Sequence, residues 1–107
     1  MSFLGRHIAV DHSLLKDFRV DFQKKGGGVL IKSRGSIMES AKVFDSVRVR
    51  PAQSELLVTV YASLAFWNKS GSPDFSASVE LALEPGRYDA WYKSPRAPPV
   101  FLGAIDV

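Results

Sequence analysis

Apolar and polar residues alternate in three separate stretches of the chain, and each reads as a strand. From Phe75 to Glu84, the residues Phe75, Ala77, Val79, Leu81 and Leu83 share one parity, and Ser76, Ser78, Glu80 and Glu84 share the other. Phe18, Val20 and Phe22 alternate in the same way with Arg19, Asp21 and Gln23. The stretch from Glu55 to Trp67 differs. Leu56, Val58, Val60, Ala62, Leu64 and Phe66 form an almost wholly apolar parity, but Leu57, Thr59, Tyr61, Ser63, Ala65 and Trp67 on the other are half-apolar. That pattern predicts an interior strand partly covered on its second face. Leu and Ala also suit a helix, but the β-branched run Val58-Thr59-Val60 followed by Tyr61 favours the strand.

The turns between these stretches fix registers. Gly26-Gly27-Gly28 separates the Phe18–Phe22 arm from Val29–Ser33. A two-residue turn at Gly26-Gly27 pairs Phe22 with Ile31 and Asp21 with Lys32, so that the side-chain pattern agrees on both faces. Pro85-Gly86 ends the Phe75 arm: proline presets φ at the first corner of a turn, and glycine accepts a positive φ at the second. A tight hairpin here would set Leu83 against Tyr88, Leu81 against Ala90 and Val79 against Tyr92. A type II turn splays such strands, so the arms are alternatively expected in opposing sheets, joined across the sandwich edge. The string Leu83-Glu84-Pro85-Gly86-Arg87-Tyr88 resembles the L-x-P-G-x-Y corner of many immunoglobulin-like and prealbumin-like β-sandwich domains. The resemblance covers only the corner and implies a fold, not a function.

Elsewhere the signals are weaker. Phe3, Leu4, Ile8 and Val10 suit a first strand, and Ser13 suits a cap over a short turn carrying Leu14, Leu15 and Phe18. This apolar segment is expected to lie on the sandwich rather than hang free. Ser36-Ile37-Met38-Glu39 fits a capping box, which predicts a loop or short helical turn within 34–45 and then a strand ending at Pro51. Asn68–Asp74 reads as a loop, Ser94–Pro99 as a proline-stiffened connection, and Val100–Val107 as a last strand. The expected architecture is all-β: one antiparallel β-sandwich domain over 1–107, immunoglobulin-like or jelly-roll-like, of seven or eight strands with at most one short helical turn.

Composition removes classes more than it selects one. The chain contains no cysteine, which excludes disulfides, thiolate metal sites and cysteine nucleophiles. No apolar run is long enough for a membrane-spanning helix, and the first residues lack the apolar core of a signal peptide. The expected setting is cytoplasmic, or extracytoplasmic if a leader has been removed. The net charge of +3 is uneven: residues 1–50 hold ten Lys/Arg against five Asp/Glu, and residues 51–107 hold four against six. The basic half is expected to serve as a solubilising surface rather than a nucleic-acid site.

Candidate chemistry is sparse. His7, Asp11 and His12 lack a third ligand at any telling spacing and read as a solvated segment rather than a metal site. No G-x-S-x-G, G-x-G-x-x-G or P-loop motif is present, so neither a catalytic constellation nor a cofactor is expected. Lys24, Lys25, Lys32 and Arg34 form a basic patch, free of acids along the chain, about the glycine turn. Phe18 and Phe22 are assigned to the core, so the patch has no stacking aromatics and reads as a solvated turn. Pro95-Arg96-Ala97-Pro98 matches P-x-x-P but sits between strands, where it serves as rigid punctuation. Trp91 is the residue that asks for an explanation. Its parity is otherwise polar, with Arg87, Asp89 and Lys93, so either residues 1–16 cover it or a partner does. With Tyr61 and Trp67, also off the apolar parity of their strand, Trp91 forms a candidate binding surface. The expected function is a non-catalytic protein-binding module (an inhibitor, adaptor or assembly subunit) that meets another protein or itself. The alternative is a carbohydrate- or small-ligand-binding module using the same aromatics.

Overall fold

The computed structural model describes residues 8–39, 42–64 and 72–107. Two sheets pack face to face as a β-sandwich. Their strands are β1 (Ile8–Ala9), β2 (Leu15–Lys25), β3 (Gly28–Ile37), β4 (Lys42–Ala52), β5 (Glu55–Leu64), β6 (Asp74–Ala82), β7 (Arg87–Tyr92) and β8 (Val100–Asp106). One sheet has three strands in the order β2-β3-β6; the other has five, in the order β1-β5-β7-β8 with β4 also paired to β5. All pairings are antiparallel except β5 with β7, which is parallel. No helix among the described residues is long and apolar enough to cross a membrane.

The β2–β3 hairpin has the register its pattern predicts, with Phe22 opposite Ile31 and Asp21 opposite Lys32. Gly26 and Gly27 both take positive φ, +46° and +84°, which matches the turn to the right-handed twist of the arms. The Pro85-Gly86 turn is the sandwich corner and not a tight hairpin. Its two arms enter different sheets, β6 pairing with β3 and β7 with β5 and β8, so Leu83–Tyr88, Leu81–Ala90 and Val79–Tyr92 do not pair across a ladder. Gly86 has φ +151°, and its backbone exchanges two hydrogen bonds with Val107, at 3.1 and 2.8 Å. The Tyr88 hydroxyl donates to the Glu84 carbonyl at 2.9 Å, which braces the corner from within.

Two other expectations are corrected. Ser36 and Ile37 are the last residues of β3 rather than the start of a helical turn: Ile37 donates to the Pro73 carbonyl, and Leu15 pairs opposite it. Strand pairing on both sides outweighs the local capping signal. Ser13 does not cap a turn over Leu14, Leu15 and Phe18. It lies inside a 3₁₀ turn, His12–Leu14, that follows Asp11, and Leu15 and Phe18 belong to β2. Pro51 lies one residue before the end of β4, on an outer strand of the sheet, where proline is tolerated.

β5 organises the larger sheet. β4 pairs along one edge for its whole length. The other edge is divided: β7 takes Glu55–Val58, and β1 takes Tyr61 and Ala62. Tyr92 bridges the handover, its hydroxyl donating to the Val10 carbonyl and accepting from the Val60 amide. The segment around Val10 is held further by His12 N–H to Ser94 Oγ at 2.9 Å and by Arg96 N–H to an Asp11 carboxylate oxygen at 3.2 Å. The inward parity of β5 (Leu56, Val58, Val60, Ala62) is fully buried. Around it lie two core clusters. Val10, Leu15, Ile37, Phe75 and Tyr92 fill one end, and Val29, Ile31, Tyr88 and Ala90 fill the other.

Candidate functional site

Because the sheets bury one face each, the outward parity of β5 and its neighbours forms a second, outward-facing surface, on which Glu55, Leu57, Thr59 and Tyr61 are half-buried to exposed. The registers define it row by row. Glu55 lies beside Asp89. In the next row Arg50, Leu57, Trp91 and Phe101 stand side by side across four strands. Next come Arg48 and Thr59. Lys93 continues the line of β7 beside them: its amide donates to the Val58 carbonyl at 2.9 Å, and the Thr59 hydroxyl donates to its carbonyl at 3.0 Å. The last row holds Ser46, Tyr61 and Ala9.

The sheet therefore brings two of the three expected aromatics, Tyr61 and Trp91, onto one face. Trp67 lies outside the described residues. Trp91 is half-buried. Of the N-terminal segment, residues 8 and 9 enter the sheet plane beside β5 and Val10 and Leu15 are buried in the core, while residues 1–7 lie outside the described residues. The Phe101 ring meets Trp91 edge-on with centroids 5.2 Å apart while remaining 52% exposed. Trp91 Nε1 is enclosed without a hydrogen-bond partner. The nearby Asp89 Oδ1 is enclosed as well, and its cation, Arg87 Nε, stands 3.7 Å away, beyond hydrogen-bonding reach. The Tyr61 ring carries the Arg48 guanidinium over its face at 4.9 Å.

A concavity of about 640 Å³ opens on this surface, lined among others by Arg48, Arg50, Leu57, Tyr61 and Lys93. Its described lining contains no Asp or Glu. Arg48, Arg50, Lys93 and Phe101 were not legible as site residues. The alternation Val47-Arg48-Val49-Arg50 was the available signal, since it turns both arginines to the face opposite the core.

The other candidates are not assembled into sites. The basic patch is not acid-free in three dimensions: Lys25 pairs with Glu80 at 2.9 Å, and Lys32 lies opposite Asp21. β6, contributed from far along the chain, supplies the acid that local sequence lacks. Lys24 also stands on the parity opposite Lys25, which divides the patch. His12 packs its ring against Tyr92 and Phe18, with centroids 5.4 and 6.0 Å away. His7 lies outside the described residues, and among those described no group of acids and histidines is arranged to hold a metal.

The chain matches no protein-family model, no curated protein and no solved structure.

Proposed function

We propose that this chain is a non-catalytic protein-binding module that engages its partner through the outer face of the five-stranded sheet. The observation that carries the reading is the row Arg50–Leu57–Trp91–Phe101, which sets apolar and aromatic side chains edge to edge on the sheet face opposite the described core. Aromatic residues and arginine are the types enriched at protein interfaces. The partner is another protein or a second copy of the chain. The Tyr88–Glu84 hydrogen bond at the corner also supports reading the sandwich as immunoglobulin-like, since a tyrosine braces the equivalent corner there. The parallel β5–β7 pair departs from that pattern.

A display selection of natural protein fragments against the wild-type chain tests the reading, with the Trp91→Ala/Phe101→Ala double variant as counter-selection. Fragments that bind the wild type and lose the variant are expected. Enriched fragments that all retain the variant would overturn it. Sedimentation over a range of concentrations tests the self-association arm. Sugar binding has less support: stacking needs a flat free ring, but Arg48 covers Tyr61, and Phe101 meets Trp91 edge-on.

A further inference from the structure

Building on that binding face, we infer that its partner presents an acidic peptide segment, with carboxylates interspersed among apolar side chains, to the concavity between β4 and the end of β7. Three lines of observation converge. Arg48, Arg50 and Lys93 are all exposed, and all line the concavity without a carboxylate among its described lining. The charge is uneven along the face: Arg50 and Arg48 stand in the second and third rows with Lys93 beside them and no acid in the described lining, whereas the first row holds Glu55 and Asp89, the latter near Arg87, so an acidic segment is drawn to the concavity rather than to that row. The floor between the cations is apolar at Leu57 and Pro95 and aromatic at Tyr61. A carboxylate alone would leave that floor unused, and a peptide mixing Asp or Glu with Leu or Phe would cover it.

The same geometry argues against single-stranded nucleic acid as the occupant. Such strands need free ring faces on which bases stack. The one ring in its described lining, Tyr61, already carries Arg48. Guanidinium groups also recognise carboxylates through paired, in-plane N–H donors, which suits the exposed Arg50 in the lining.

Fluorescence anisotropy with three labelled probes tests this: a peptide alternating glutamate and leucine, its glutamine–leucine counterpart, and an oligothymidylate. The acidic peptide is expected to bind most tightly, to weaken as salt rises, and to lose about fivefold or more against the Arg50→Gln/Lys93→Gln variant. Both positions are exposed, so the variant should keep the wild-type circular dichroism spectrum. No binding of the acidic peptide, equal binding of its glutamine counterpart, tighter binding of the oligonucleotide, or indifference to the charge variant would each overturn the inference. The fragments selected in the previous experiment separate the two claims. If they lose the Trp91→Ala/Phe101→Ala variant but tolerate the charge variant, the binding face stands and the acidic partner falls.

Discussion

The hydroxyl of Tyr92 donates to the carbonyl of Val10 at 2.5 Å, linking the end of β7 to the residue just after β1. The same oxygen accepts from the Val60 amide at 3.1 Å. Both partners are buried backbone groups, so Tyr92→Phe leaves a carbonyl and an amide short of a partner. The variant is expected to be about 1–3 kcal/mol less stable in denaturant melts. An unchanged midpoint would mean that the Val10 segment is held by other contacts.

That phenol also has an alkaline signature. Burial, more than any other influence, pushes its pKa up from 10.0 to about 12, against a partial lowering by the Val60 amide. The unfolded chain therefore gives up this proton first as pH rises. The contribution is complete below pH 10 and is lost towards pH 12. Over that window the wild type should lose stability faster than Tyr92→Phe does. Parallel decline of the two midpoints would refute the assignment.

Gly86→Ala is expected to destabilise the fold by about 1 kcal/mol or more, because φ +151° is strained for any residue with a Cβ. There is open space where the methyl would go, so the loss would report backbone strain and not a clash. Melts of wild type and variant that superimpose would show that the corner relaxes freely.

Gln53 poses the reverse case. It turns the β4–β5 hairpin with φ +58° and has a side chain that disfavours this conformation. Gln53→Gly relieves that strain, though it also gives the unfolded chain more freedom, and a net gain of up to about 1 kcal/mol is expected. A clear loss in thermal or denaturant midpoint would mean that the Gln53 side chain makes a stabilising contact of its own.

Trp91→Ala should cost less than the ~3–5 kcal/mol of a fully buried aromatic, since the ring is only half-covered. In a Trp67→Phe background the remaining emitter should be quenched by a neutral solute to an intermediate degree. Complete protection in a monomer, joined to a loss in the full range, would show a buried structural role and remove the binding face.

Local chemistry was legible, and distant pairing was not. Gly26-Gly27 declares both the turn and its register, because two positive φ values and the alternation of the arms point to one answer. The Pro85-Gly86 string declares a corner but not where its arms go; that depends on β3 and β5, dozens of residues upstream. The parallel partnership of Leu57 with Trp91 leaves no trace in either strand's own sequence. Ser36 misled for the opposite reason: its spacing to Glu39 is a helix signal, overruled by two neighbouring strands that are themselves far away in the chain. At the candidate site, parity alone singled out Tyr61 and Trp91. Phe101 joined them only because the β7–β8 register shifts between Ala90 and Trp91.

The divided edge of β5 bears on how the chain reaches this state. β4 and β5 are joined by a short turn and can zip early, but the opposite edge waits for β7 from downstream and for β1 from the other end of the chain. Closing such long loops is slow. Until both arrive, the strand richest in apolar residues on both parities presents bare amides and carbonyls to any other nascent chain. Refolding yield should therefore fall steeply with protein concentration, although the finished sandwich pairs that edge with β7 and β1.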